Sequence, residues 1–187
     1  MSKFILASNS PRRRELLKQV IEEYEVITSN IEEVIDEELP YEEAVMDLAF
    51  QKASDIFRTH KEDTVLGFDT LVLIDDELLG KPKDKEDAKG MLKKLSGKTH
   101  FVITGAAIIS KKVSTSFYVK TRVNFAEMSE EEIDNYILTN EPMDKAGAYA
   151  IQGKGSKFVV SVTGDYFTVM GLPVQRLYQE LKKYDLI

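Results

Sequence analysis

Thr64-Val65-Leu66-Gly67-Phe68-Asp69-Thr70-Leu71-Val72-Leu73-Ile74 is a nearly unbroken apolar run, interrupted by one acid. Such a run reads as a buried strand. Before it, from Tyr41 to Phe57, the period changes. Ala44, Val45, Leu48, Ala49, Ala53 and Ile56 recur on one face of a helix. Nearer the N-terminus, Phe4 to Ala7 reads as a short buried strand. Pro11 to Glu23 reads as a helix with Leu16, Leu17, Val20 and Ile21 inward, and Glu25 to Thr28 as another short strand. Beyond the central run, Asp84 to Leu95 reads as a helix stopped by Ser96-Gly97. Two long strands are predicted, His100 to Ser110 and Ser116 to Ala126. Ser129 then caps a helix to about Leu138, with Glu130, Glu131 and Glu132 in the first turn where the macrodipole favours acids. Phe158 to Thr163 is a further strand, and Gly171-Leu172-Pro173 opens a last helix to about Tyr184. Strands and helices alternate early and long strands dominate the middle, which predicts an α/β fold with a mixed sheet.

The chain has 187 residues, which fits one domain, or one domain with two lobes and a site between them. No repeat, low-complexity stretch or Pro/Gly-rich linker breaks it. Phe117, Tyr118 and Phe125 suit either the core or a dimer surface. The apolar stretch Phe4-Ile5-Leu6-Ala7 is too short for a signal-peptide core, and the arginines follow it. No apolar run reaches a membrane-spanning length. A retained, cytoplasmic protein is expected. There are no cysteines, which excludes thiolate metal sites, and only two histidines, His60 and His100, which argues against a multi-histidine site. A metal here would be held by carboxylates, which suits hard cations. The net charge of −7 argues against broad contact with nucleic acid, while a local Arg/Lys cluster can still hold one phosphorylated ligand.

Asp69 is the sharpest candidate for chemistry. A lone acid among Val65, Leu66, Leu71, Val72 and Leu73 is costly unless it is paired or metal-bound. Ser8-Asn9-Ser10-Pro11-Arg12-Arg13 lies between a strand and a helix, with Ser10 suited to the N-cap and Pro11 to the first turn. The helix start, the two hydroxyls and the two guanidinium groups suit a phosphate. An ordinary capped helix with exposed arginines is the plain alternative. Glu32 and Glu33, near Asp36, Glu37 and Glu38, form either a solvated acidic loop or a source of one metal-binding or water-orienting carboxylate. In Leu79-Gly80-Lys81-Pro82, the proline restrains Lys81 to an extended backbone and helps aim its ammonium; a turn with an exposed lysine also fits. The stretch Asp144 to Gly153 is rich in small residues that let backbone approach a ligand, and Gln152 can pair with a base edge; a packed turn also fits. Ser96-Gly97-Lys98-Thr99 is not a P-loop, because Leu92 stands where its first glycine belongs. Gly153-Lys154-Gly155 lacks the third glycine of a dinucleotide loop, where Phe158 stands.

In order, the chain carries Ser8-x-Ser10-Pro11-Arg12-Arg13, Glu33, Asp69-Thr70, Gly80-Lys81-Pro82, Gly105, Ala146-Gly147-Ala148-Tyr149 with Gln152, and Gly171-Leu172-Pro173. This series resembles the Maf family of nucleoside triphosphate pyrophosphatases along nearly the whole chain. The resemblance implies an elongated mixed α/β fold related to the inosine triphosphate pyrophosphatases, with two lobes around a central cleft. It implies cleavage of a triphosphate to monophosphate and pyrophosphate with Mg²⁺, Mn²⁺ or Co²⁺. It also implies frequent homodimers and a link to septum formation and cell-division arrest. By this resemblance Ser8, Ser10, Arg12, Arg13, Lys52 and Lys81 bind phosphate, and Glu33 and Asp69 are the catalytic and metal-binding acids. Thr70 and Gln152 belong to the nucleotide pocket. Glu32 stands where many relatives have Asp. The arginine after Pro11 and the block Ala-Gly-Ala-Tyr-Ala-Ile-Gln resemble the branch that prefers dTTP and UTP, sometimes CTP and modified pyrimidines.

One of Glu33 and Asp69 is expected to hold the cation and the other to take the water's proton, with Asp69 the leading choice of base and Arg12, Arg13, Lys52 and Lys81 countering the charge of the triphosphate. The rival expectation is a nucleotide-binding regulator of septum formation without catalysis. Two carboxylates beside a polyanion weigh against it, since like charges weaken binding unless a metal intervenes.

Overall fold

A computed structural model describes residues 2–36 and 38–187; Glu37 of the acidic run lies outside the described residues. Strand β1 (Phe4–Leu6) leads into helix α1 (Pro11–Leu17), followed by β2 (Glu25–Val26) and α2 (Tyr41–Phe57). Then come β3 (Thr64–Ile74), β4 (Glu77–Leu79), α3 (Lys85–Leu95), β5 (Thr99–Ile109) and β6 (Ser114–Phe125). The C-terminal part holds α4 (Glu130–Ile137), three short 3₁₀ turns between Glu141 and Phe158, β7 (Val159–Thr163), α5 (Tyr166–Met170) and α6 (Val174–Lys183). The sheet runs β2-β1-β3-β5-β6-β7, with β4 paired to β3. It is mixed, as predicted: β1 pairs parallel with β2 and β3, whereas β3–β4 and β6–β7 are antiparallel.

The chain divides into two compact units, each built from separate segments. The first comprises the chain up to Asp69, Thr104–Val119 and Gly171–Ile187; the second comprises Thr70–Ile103 and Lys120–Met170. In the first unit, α2 lays Ala49, Ala53 and Ile56 against Ile5, Ala7, Val65, Ala107 and Ile109. The approach is close because the sheet offers glycine beneath the helix. A Cβ on Gly67 would lie 2.2 Å from the carbonyl oxygen of Ala49, and one on Gly105 would lie 2.3 Å from that of Val45. Both obstacles are backbone. Gly67→Ala is therefore expected to destabilise the fold by about 2–3 kcal/mol, measured by denaturant unfolding, since overpacking typically costs about 1–3 kcal/mol. In the second unit, α3 buries Ala88, Met91, Leu92 and Leu95, and α4 buries Ile133, Tyr136 and Ile137. Lys89 and Lys93 of α3 pair with Asp134 and Glu130 of α4 at 2.6 and 2.5 Å.

Helix α1 is shorter than the apolar spacing predicted. It ends at Leu17 because the chain tightens: the amides of Gln19 and Val20 reach the carbonyls of Leu16 and Leu17, three residues back, and Ile21 drops into the core. The Tyr24 hydroxyl donates to the Arg14 carbonyl at 2.5 Å, satisfying one group of the last turn. The aromatics of β6 divide. Phe117 and Phe125 are buried, whereas Tyr118 is 43% exposed. Among the described residues no helix is long and apolar enough to cross a membrane.

Candidate active site

Ser10 caps α1 as its sequence predicts, its hydroxyl accepting from the Arg13 amide, with Pro11 in the first turn. The helix has only seven residues, so its dipole is small, and the charge available to an anion rests mainly on Arg12 and Arg13. The buried Ser8 hydroxyl accepts from the Ser10 amide at 3.3 Å and from Arg13 Nη1 at 3.2 Å. Each serine oxygen accepts at least one hydrogen bond from the protein, and each hydroxyl can also donate one. Arg13 Nε donates to the carbonyl of Gly171 at 2.8 Å. This tie joins two motifs 158 residues apart and aims the guanidinium. Burial draws Arg13 below its ordinary value, Arg12 adds to that effect, and Asp69 and Glu33 oppose it. An arginine nonetheless stays charged in practice.

Asp69 lies on β3 with its side chain 13% exposed. Its cost in the core is met by Lys52 of α2, whose Nζ is 2.5 Å from Asp69 Oδ1. The same Nζ is 3.1 Å from Glu33 Oε1. One ammonium therefore gathers the two acids singled out in the sequence. Its hydrogen bond goes to Asp69, and Glu33 is held as an ion pair. Ser8, Ser10, Arg12, Arg13, Glu33, Lys52 and Asp69 all belong to the first unit.

Thr70, Lys81 and Gln152 belong to the second unit. Lys81 and Gln152 are exposed, and Thr70 is half-buried. Lys81 follows β4, and the adjoining Gly80 carbonyl accepts from the Gly147 amide at 3.0 Å. Gly147 adopts φ +67°, and a Cβ there would lie 2.9 Å from Val72 Cγ2. The small residues around position 147 thus pack against the β3–β4 hairpin. Gln152 is carried by a loop that side chains clamp. The Tyr136 hydroxyl accepts from the Ala150 amide at 3.1 Å and donates to Glu141 Oε2 at 2.6 Å. The Glu141 carboxylate also accepts from the amides of Lys154 and Gly155 at 3.0 and 3.1 Å. Burial pushes the Glu141 carboxyl up, but these hydrogen bonds outweigh it and leave the group below its ordinary value. The resemblance of Gly153-Lys154-Gly155 to a ligand loop is thus explained by an internal carboxylate. Lys98, in the other false motif, pairs with Asp75 at 2.7 Å.

A third support of the same loop is the buried pair His100 and Tyr149, whose Nε2 and hydroxyl are 2.8 Å apart. Phe125 packs edge-on against both rings. Burial lowers His100 from 6.5 to about 4. The unfolded chain therefore takes up this proton first, and stability falls as the pH drops from about 6.5 to about 4, by up to roughly 1.4 kcal/mol per pH unit. Over that window the wild type is expected to lose about 3 kcal/mol more than His100→Gln, read from denaturant midpoints. Parallel curves would contradict a buried neutral imidazole.

The sequence profile of Maf-like proteins matches residues 3–184. The chain belongs to the Maf-like protein family. A protein of Bacillus cytotoxicus named dTTP/UTP pyrophosphatase is 55% identical over 185 residues, 99% of this chain and 97% of the relative. One of the same name from Bacillus mycoides is 51% identical over 99% of this chain and 97% of its own length. Among solved structures, the Staphylococcus aureus Ham1 protein aligns with a TM-score of 0.55 and 14% identity, covering 97% of this chain and 99% of that one. A HAM1 protein from Coxiella burnetii gives 0.53 and 12%, covering 98% and 100%. At these identities the likeness to Ham1 proteins is one of fold. It agrees with the mixed α/β architecture that the sequence of this Maf-like chain predicts.

Among the described residues no group of three or more His, Cys, Asp or Glu side chains could hold a metal ion. Glu33 and Asp69 do converge on one point, at Lys52 Nζ. Mg²⁺ is typically bound by one or two carboxylates, with waters and substrate phosphates completing its shell. Two carboxylates suit a hard cation, and the Lys52 ammonium stands at the point where they converge. Sequence reasoning missed the Gly171 carbonyl and Glu141. Gly171 was legible only as part of a motif, and nothing in the spacing of Glu141 marks it as the anchor of a distant loop.

Proposed function

We propose that the chain is a nucleoside triphosphate pyrophosphatase that hydrolyses dTTP and UTP to the monophosphate and pyrophosphate with a divalent cation. The observation that carries this reading is Lys52 holding Glu33 and Asp69 together in the unit that also contains Ser8, Ser10 and Arg13. A site built only to bind a polyanion has no use for two acids. The names of the curated relatives support the choice of nucleotide.

Arg12, Arg13 and Lys52 neutralise the triphosphate, joined by Lys81; Thr70 and Gln152 contact the nucleotide, as the family resemblance assigns them. Asp69 accepts a proton from the water that attacks the α-phosphorus. The bond from that phosphorus to the bridging oxygen breaks, and pyrophosphate leaves with the electron pair, stabilised by the guanidinium and ammonium groups. The other acid, Glu33, would hold the divalent cation (Mg²⁺, Mn²⁺ or Co²⁺), which would supply charge neutralisation and lower the pKa of bound water. The same reading places the protein in the cytoplasm as a homodimer, in nucleotide-pool cleaning and division arrest.

The test is a panel of pyrimidine, purine and modified triphosphates, with Mg²⁺ or with chelator, following pyrophosphate release. Release fastest from UTP and dTTP, and abolished by chelator, is expected. Binding of nucleotides without turnover would overturn the proposal in favour of a regulator.

A further inference from the structure

Glu33 stands on a segment, residues 27–36, without regular secondary structure. The two apolar residues that follow it, Val34 and Ile35, are 65% and 48% exposed, so burial does not fix the backbone beside the carboxylate. Helix α2 fixes it with polar side chains. Gln51 Nε2 donates to the Val34 carbonyl at 2.9 Å, and the Val34 amide donates to Gln51 Oε1 at 3.3 Å. A third bond, from Gln51 Nε2 to Asp47 Oδ2 at 2.6 Å, sets which way round the amide lies. One turn further on, Asp55 accepts from the Ser29 hydroxyl at 2.9 Å. Asp47, Gln51 and Asp55 follow at four-residue intervals and form one stripe on α2. Lys52, which pairs with Glu33, is the next residue after Gln51.

We infer that Gln51 is a positioning residue for Glu33: its amide clamps both backbone groups of Val34 and thereby holds the preceding carboxylate at Lys52 and Asp69. The ion pair alone defines a distance, and a lysine side chain can follow a wandering partner. The two-point clamp fixes the peptide itself. Only a side chain carrying both donor and acceptor can do this, and glutamate at position 51 would set a second oxygen against the Val34 carbonyl and Asp47. The inference rests on the reading that Glu33 acts in turnover.

The experiment is a double-mutant cycle on UTP hydrolysis with wild type, Gln51→Ala, Glu33→Gln and the double variant. It is accompanied by thermal unfolding and by amide hydrogen exchange at Val34 without nucleotide or metal. Gln51→Ala is expected to lower kcat roughly three- to tenfold, the scale of one or two ordinary hydrogen bonds. KM should stay within about twofold, because none of the Gln51 hydrogen bonds described above goes to Ser8, Ser10 or Arg13. Exchange at Val34 should quicken, and Gln51→Ala should cost nothing further in the Glu33→Gln background. An unchanged kcat, or the same loss in both backgrounds, would overturn the inference. Wild-type turnover by Glu33→Gln would refute the role of Glu33 instead, and Val34 exchange then judges the clamp independently.

Discussion

Asp69→Asn is expected to lose turnover by about 10²- to 10⁴-fold while still binding UTP, the range typical for removing a positioned general base. The variant keeps the volume of the side chain and an oxygen for Lys52. Lys52 retains Glu33 as a partner at 3.1 Å, so no buried cation is orphaned and the unfolding midpoint should move little. What is lost is the ability to take a proton from water. Asp69 suits the base role better than Glu33 on structural grounds. It is carried by the middle of β3 with a side chain 13% exposed, whereas Glu33 is 47% exposed on an irregular segment. Steady-state kcat with equilibrium binding of UTP separates the two effects. Near-normal turnover by Asp69→Asn would remove Asp69 from the mechanism.

Lys52→Met has the second large effect, and it acts on both function and stability. Methionine fills most of the space of the lysine stem without charge. Two carboxylates then face one another without the ammonium that gathers them, and Asp69 stays buried without its 2.5 Å partner. Breaking a fully buried pair by removing one member costs about 3–5 kcal/mol. Here Arg13 still attracts Asp69 and Lys52 is 14% exposed, so a loss of about 2 kcal/mol is expected in denaturant unfolding. Turnover should fall about 100-fold or more, since a preorganised donor to the phosphates disappears as well. Turnover within a few-fold of wild type would show that the ammonium only balances charge in the resting protein.

Much of this was legible from residues. The bounds of α2 and β3 follow from their hydrophobic periods, which change sharply near residue 60. Ser10 and Ser129 announce two helix starts, the latter through a full capping box with Glu132. Asp69 was conspicuous because an acid in an apolar strand requires a partner. Strand β4 was not legible. It returns along β3 through Asp75-Asp76, both at positive φ of 48° and 61°, a two-residue turn that Asn-Gly usually signals. The partner of Asp69 lies 17 residues away on a helix, and no spacing rule joins them. Family resemblance alone put Lys52 among the site residues. The two units were hidden for a simpler reason: each is assembled from separated segments, so no linker composition marks where one ends.

Phosphorus-31 magnetic resonance of wild-type protein turning over UTP with Mg²⁺ reports which anhydride bond breaks. The signals of UMP and intact pyrophosphate are expected to grow together in equal amounts. Growth of UDP and orthophosphate, or an unchanged UTP spectrum, would contradict cleavage at the α-phosphorus.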